Sequence, residues 1–242
     1  MWIDAHNHLH DQRLTESRLE LDSLSVVNGT SEADWPRVSE LTENNLSTLP
    51  AYGLHPWFIK QRSSDWQKNL TSFLENPHAS VGEIGLDLAM KNPDRAAQEE
   101  VFRWQLSLAA EKNIPATIHC VKAFGWLTEI LRTNPLPRCG FLLHAFSGSI
   151  EIARECEKSG AYFSYSAHFL DERQAARREV FRQLPMDRLL VETDAPNQDV
   201  DIVACYESLA RIRDCDLTRM KIAVQENFIR LFGDTAATRL KN

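Results

Sequence analysis

Ile3-Asp4-Ala5-His6-Asn7-His8 closes the first apolar run of the chain, with two histidines spaced two residues apart. In a strand, that spacing puts both imidazoles on one side. Four later apolar runs also end in a residue able to hold a metal. They are Ser80-Val81-Gly82-Glu83, Ala116-Thr117-Ile118-His119, Phe141-Leu142-Leu143-His144 and Leu189-Leu190-Val191-Glu192-Thr193-Asp194. One architecture gathers the carboxyl ends of many strands at one place, the (β/α)8 barrel, whose chemistry sits at that face. The expected fold is therefore an α/β chain forming a single (β/α)8 TIM barrel over residues 1–242. An open doubly wound sheet is the rival. It would hold its outer strand ends too far apart for runs one, four, five, six and eight to share a site.

Size and composition agree. The 242 residues lie close to the roughly 250 typical of one such barrel. Hydrophobic residues make up 43% of the chain, as in folded globular proteins rather than disordered ones. No apolar run approaches the roughly 18 residues of a membrane span. Met1 leads straight into a strand containing Asp4, so no signal peptide is expected. Cys120, Cys139, Cys156, Cys205 and Cys215 are scattered and form no C-x-x-C. They read as free thiols in a reducing compartment, so the expected location is cytoplasmic, with no membrane and no obligate protein partner. The net charge of −7 argues against strong general attraction to nucleic acid. It leaves nucleic acid open as a substrate, because bound metals can make one positive cleft on an acidic protein.

Eight apolar runs alternate with helical patterns. The remaining runs are Leu24–Val27, ended by Asn28-Gly29; Leu49–Leu54, ended by His55-Pro56-Trp57; and Ala161–Ser166. Helices are expected after Ser31 and Ser64, where Asp34 and Gln67 complete capping-box patterns, and over residues 94–112, 124–132, 150–158 and 173–183. Two more are expected over about 199–213 and 217–231. Alternating β and α implies parallel pairing through right-handed crossovers.

Four histidines and two carboxylates are too many ligands for one tetrahedral catalytic zinc, which takes three and keeps a position open. They suit two divalent ions roughly 3.5–4 Å apart, drawn from Zn, Mg, Mn, Ni or Fe. Glu83 is the expected bridge between them. Water held there would have its pKa pulled toward roughly 7 and attack an electrophilic phosphorus or carbon. Asp194 would bind one metal and accept the proton. Glu83 and Asp194 are thus the expected catalytic pair, with His6, His8, Glu83, His119, His144 and Asp194 as the metal ligands.

With those residues in hand, the chain resembles the TatD family of metal-dependent hydrolases. The resemblance rests on Ile3–Leu9, Gly53-Leu54-His55-Pro56, Val81-Gly82-Glu83-Ile84-Gly85-Leu86-Asp87, Ile118-His119, Leu143–Gly148 and Val191–Pro196, with Glu226-Asn227 and Leu231-Phe232 as the closing helix. It implies an amidohydrolase-type TIM barrel, a two-metal centre and phosphodiester hydrolysis, with DNA the expected substrate. It also implies that His6, His8, Glu83 and Asp194 hold one ion, and Glu83, His119 and His144 the other. Three places depart from the family pattern: Cys120-Val121-Lys122 in place of Ser-Arg-Asp, His10 in place of Asp, and a short segment Asn197-Gln198-Asp199 after the eighth strand.

Other residues carry weaker readings. His55 and Lys122 are candidate substrate contacts, though His55 can equally cap the loop before Pro56 and Lys122 can be a solvated side chain. Glu192 points the same way as Asp194 and reads either as a support for the metal site or as a barrel-lining ion. Trp57 and Phe58 read as rim packing or base-stacking residues, His10 and His168 as loop residues, and His78 as exposed. Arg173–Arg178, flanked by acids, reads as a solvated helix face. A carboxyl-ester or amide hydrolase, such as a deacylase acting on aminoacyl-tRNA, would use the same centre. A metal-binding protein without turnover is the third alternative.

Overall fold

The computed structural model describes residues 1–11, 22–197 and 201–240. Its strands are β1 Trp2–Asn7, β2 Ser23–Asn28, β3 Thr48–Tyr52, β4 Ser80–Asp87, β5 Ala116–Val121, β6 Phe141–Leu143, β7 Ala161–Ser166 and β8 Leu189–Glu192. They pair in sequence order, every neighbour parallel. Such sheets are covered on both faces, and their strands read as apolar runs for that reason. Here β3, β4, β6, β7 and β8 are buried at every position.

β8 closes against β1 through short contacts rather than a regular ladder. The Asp194 amide donates to the His6 carbonyl at 3.1 Å and the His8 amide to the Ala195 carbonyl at 2.7 Å. Below them, the buried Asp4 carboxylate accepts from the Thr193 amide at 2.9 Å, the Thr193 hydroxyl at 2.7 Å and the Asn7 side-chain amide at 3.0 Å. Burial pushes the Asp4 carboxyl up to about 6 even though the Thr193 and Asn7 hydrogen bonds pull it down. Tyr206 hydroxyl bridges the same seam, donating to the Ile3 carbonyl and accepting from its amide, each at 3.1 Å.

The helices follow the strands: α1 Trp35–Asn44, α2 Trp66–Phe73, α3 Arg95–Lys112, α4 Phe124–Thr133, α5 Ile150–Lys158, α6 Ala175–Gln183, α7 Ile202–Ile212 and α8 Leu217–Arg239. Asp94, Ser149, Asp201 and Asp216 each cap the first turn of a helix with a side-chain oxygen, satisfying amides that have no partner within it. Two capping expectations come out differently. At α1 the Asp34 carboxylate accepts from the Thr30 and Ser31 amides, so only the backward half of the box forms. At α2 the residue before the helix is Asp65, which makes no side-chain cap; Ser63 hydroxyl instead accepts from the Asp65 amide. The last helix runs beyond residue 231 to Arg239, with a break at Gly233 (φ 73°), a left-handed conformation open to glycine. The expected start of the preceding helix near residue 199, and Gln198-Asp199 of the short segment, lie outside the described residues. Among the described residues, no helix is long and apolar enough to cross a membrane.

Candidate metal centre

Five of the eight strands contribute to one cluster. His6 lies next to the last residue of β1 and His8 just past it; Glu83 lies within β4, His119 on β5, His144 just past β6 and Asp194 just past β8. His8, Glu83, His119, His144 and Asp194 line a cavity of about 430 Å³, with Thr30, His55 and Trp57 on other walls, and His6 lies fully buried behind them, its Nε2 3.6 Å from Glu83 Oε2. Backbone conformation at the strand ends is unusual. Ala145, next to His144, has φ 42°, Lys122 has φ 54° and Asp194 has φ 56°. Sparsely populated backbone of this kind concentrates at functional sites. Gly85 allows a close approach instead: with φ 149°, a Cβ there would come within 1.9 Å of the His119 carbonyl oxygen.

Glu83 is the centre. Its Oε2 lies 3.6 Å from His6 Nε2 and 3.4 Å from His8 Nε2. Its Oε1 lies 2.9 Å from His144 Nε2, 3.0 Å from His119 Nδ1 and 3.3 Å from His55 Nε2. The two carboxylate oxygens therefore face two different groups of imidazoles. Asp194 Oδ1 joins the first group, 3.6 Å from His6 Nε2 and 3.5 Å from His8 Nε2.

The outer ring nitrogens are held by the protein. His8 Nδ1 donates to the Asn28 carbonyl at 2.7 Å. His119 Nε2 lies 3.3 Å from Asp87 Oδ2, which also accepts from the Trp57 indole at 2.7 Å. His144 Nδ1 lies 3.4 Å from Glu192 Oε1, and Glu192 accepts from the Ala145 amide at 2.9 Å and pairs with the Ser164 hydroxyl. Partners of this type fix a ligating imidazole's tautomer and direction. Glu192 thus supports the cluster from below. Asp87 takes the same role, and its signal was in the sequence: it lies four residues beyond Glu83 on one strand, hence on the same side.

His55 caps the loop, its Nδ1 accepting from the Trp57 amide at 3.2 Å, while its Nε2 faces Glu83 at 3.3 Å on the cavity wall. His10 is more than a loop residue; it borders the cavity, with Nε2 3.6 Å from Asp34 Oδ2. Lys122 is exposed at the end of β5, and its side chain is not brought to the cavity wall. His78 and His168 are exposed, and Arg173 and Arg178 pair with Asp171 and Glu172.

Protonation follows from the geometry. Burial opposes charge on His8, but contacts to Asp194 and Glu83 outweigh it and raise its pKa to about 10. Burial is likewise overcome at His144, by Glu83 and Glu192, and at His119, by Asp87 and Glu83; both are raised. Burial would raise Glu83, yet His55 and His144 hold it well below the usual carboxylate range. His55 is pushed down to about 4, first by burial. His6 is lowered by burial and by the neighbouring His144.

The cluster fits divalent cations. Both ring nitrogens of His6 are buried without a hydrogen-bond partner. Leaving such groups unmade costs about 1–3 kcal/mol each, a penalty that an electron-pair acceptor at Nε2 would relieve on that side. Among the described residues, ligand atoms come together in three groups: His6, His8 and Asp194; His6, Glu83 and His144; His55, Glu83 and His119. The third contains His55, which the sequence offers as a substrate contact or a loop cap.

Residues 3–233 match the family described as TatD related DNase. The chain is 29% identical to the metal-dependent hydrolase YabD of Bacillus subtilis, over 96% of this chain and 99% of that protein. It is 30% identical to the 3'-5' ssDNA/RNA exonuclease TatD of Citrobacter koseri, over 71% of this chain and 66% of that one. The crystal structure of YjjV, a TatD homologue from Escherichia coli, superposes with a TM-score of 0.88 at 27% identity, covering 96% of this chain and 97% of that one.

Proposed function

This chain belongs to the family of TatD-related DNases, and from that premise we propose that it hydrolyses phosphodiester bonds of single-stranded nucleic acid, DNA foremost, at a centre of two divalent ions. The observation that carries the proposal is the division of Glu83: one oxygen faces His6 and His8, the other His55, His119 and His144. A single carboxylate so divided is what a bridging ligand requires. In this reading His6, His8, Glu83 and Asp194 hold one ion, and Glu83, His119 and His144 hold the other.

Ions bound there would supply Lewis acidity, lowering the pKa of a water nucleophile toward neutral and offsetting charge that develops on the phosphate. The chain's own residues do the rest. Asp194 is the base that takes the proton from the attacking water. Its carboxylate is held by the Asn197 side-chain amide at 3.2 Å and is 20% exposed, so it can meet a substrate. Asp87 and Glu192 keep His119 and His144 aimed inward. His55, neutral at physiological pH, contacts the substrate phosphate from the third-strand side. The acidic surface supplies little general attraction for nucleic acid, so affinity comes from the cluster itself. Lys122 lies beyond the cavity wall and this reading does not need it. Support for nucleic acid comes from the relative named as a 3'-5' ssDNA/RNA exonuclease.

The test is a substrate panel. Metal-stripped protein resupplied with Mg, Mn or Zn is expected to shorten single-stranded oligonucleotides and to leave carboxyl esters and aminoacyl-tRNA intact. Turnover of the carboxyl esters alone would overturn the proposal.

A further inference from the structure

Trp57 stands on the rim of the cavity, in a 3-10 turn spanning Pro56–Gln61, and is 56% exposed. A tryptophan in the open forgoes most of the burial that usually holds it in place. Polar contacts hold this one instead. Its indole N–H donates to Asp87 Oδ2 at 2.7 Å, and its backbone amide to His55 Nδ1 at 3.2 Å. The ring meets His55 edge-on, centroids 5.0 Å apart at 87°. Phe58 lies beside it on the cavity wall.

Asp87 is only 3% exposed, and the oxygen that accepts from Trp57 is the one that faces His119 Nε2 at 3.3 Å. His119 Nδ1 in turn faces Glu83. An unbroken line of contacts therefore runs from an exposed aromatic ring through a buried carboxylate to the cluster.

We propose that Trp57 is the platform on which the nucleobase beside the cleaved phosphodiester stacks, and that its hydrogen bond to Asp87 makes it a positioning residue for His119. The stacking part rests on the phosphodiester reading; the positioning part does not. Every base has a π-face, so an aromatic platform tolerates any sequence, as a single-strand enzyme needs.

The test compares Trp57→Phe, which keeps a ring and loses the donor, with Trp57→Leu, which loses both. Manganese affinity of the metal-stripped proteins is measured by calorimetry. Cleavage is measured on an oligothymidylate and on the same strand ending in an abasic residue. Both variants are expected to melt like the wild type and to bind manganese several-fold more weakly, up to about 10-fold. Wild type and Trp57→Phe should prefer the base-bearing end by about 10-fold, and Trp57→Leu should lose that preference. Wild-type manganese affinity in both variants would overturn the positioning role. An unchanged preference in Trp57→Leu would overturn the platform. A wild type that cleaves neither strand overturns the phosphodiester reading and the platform with it, while the manganese titration still decides the positioning role.

Discussion

Asp194 meets His6 twice: its backbone amide donates to the His6 carbonyl at 3.1 Å, and its carboxylate lies 3.6 Å from His6 Nε2. The contact that closes the barrel and the contact that assembles the cluster belong to the same pair. Asp194→Asn keeps the backbone and removes the charge. It is expected to leave the melting temperature of the metal-free protein within a few degrees of wild type and to lower hydrolysis by about 10²–10⁴-fold. Thermal melts and initial rates check this. Activity at the wild-type level would remove Asp194 from the role of base.

The seam itself is tested at Asp4. Asp4→Ala leaves the Thr193 amide and hydroxyl and the Asn7 amide without their shared acceptor. The expected loss is about 2–4 kcal/mol, from buried donors left unpaired. Urea unfolding reads it, and a loss below about 0.5 kcal/mol would show that the seam closes without this carboxylate.

How much of this the sequence could reveal depended on where the partner residues lie. His6, His8, Glu83, His119, His144 and Asp194 were legible because each lies in or just past an apolar run, and barrel closure brings those runs' carboxyl-terminal halves to one rim. His55 was ambiguous because Pro56 makes a cap as plausible as a substrate contact; the side chain caps the loop and also turns its other nitrogen toward Glu83. The support role of Asp87 was not drawn from the sequence because its partners, His119 and Trp57, lie on other segments, a relationship that no single run contains. The Ser64–Gln67 pattern misled because Asp65 occupies the position before α2, so residue spacing alone did not fix the cap.

Proton release is expected to accompany metal binding. Without metal, His8 is raised to about 10, and His119 and His144 are raised as well. Cations must displace those protons, so apparent affinity rises with pH. For the metal-free fold the sign is opposite. The His8 proton stabilises in full below the unfolded value of 6.5, and that contribution is lost as pH rises through about 10. Calorimetry in buffers of differing ionisation heat should detect released protons at pH 7. Binding that is independent of pH between 6 and 8 would contradict the protonation pattern.

Gly85→Ala drives a Cβ to within 1.9 Å of the His119 carbonyl, at a backbone φ of 149°. The expected result is a destabilisation of about 2 kcal/mol or more, together with weaker metal binding because His119 is displaced. A variant with wild-type stability and metal content would show that β4 and β5 can part without consequence for the cluster.

The most direct measurement is the metal content of wild type and Glu83→Ala, each stripped and reloaded with manganese or zinc, paired with cleavage of a 5'-labelled single-stranded oligonucleotide. Two ions per chain in the wild type are expected, with the shared carboxylate's removal lowering occupancy and abolishing cleavage. Full occupancy and undiminished cleavage in Glu83→Ala would contradict the account.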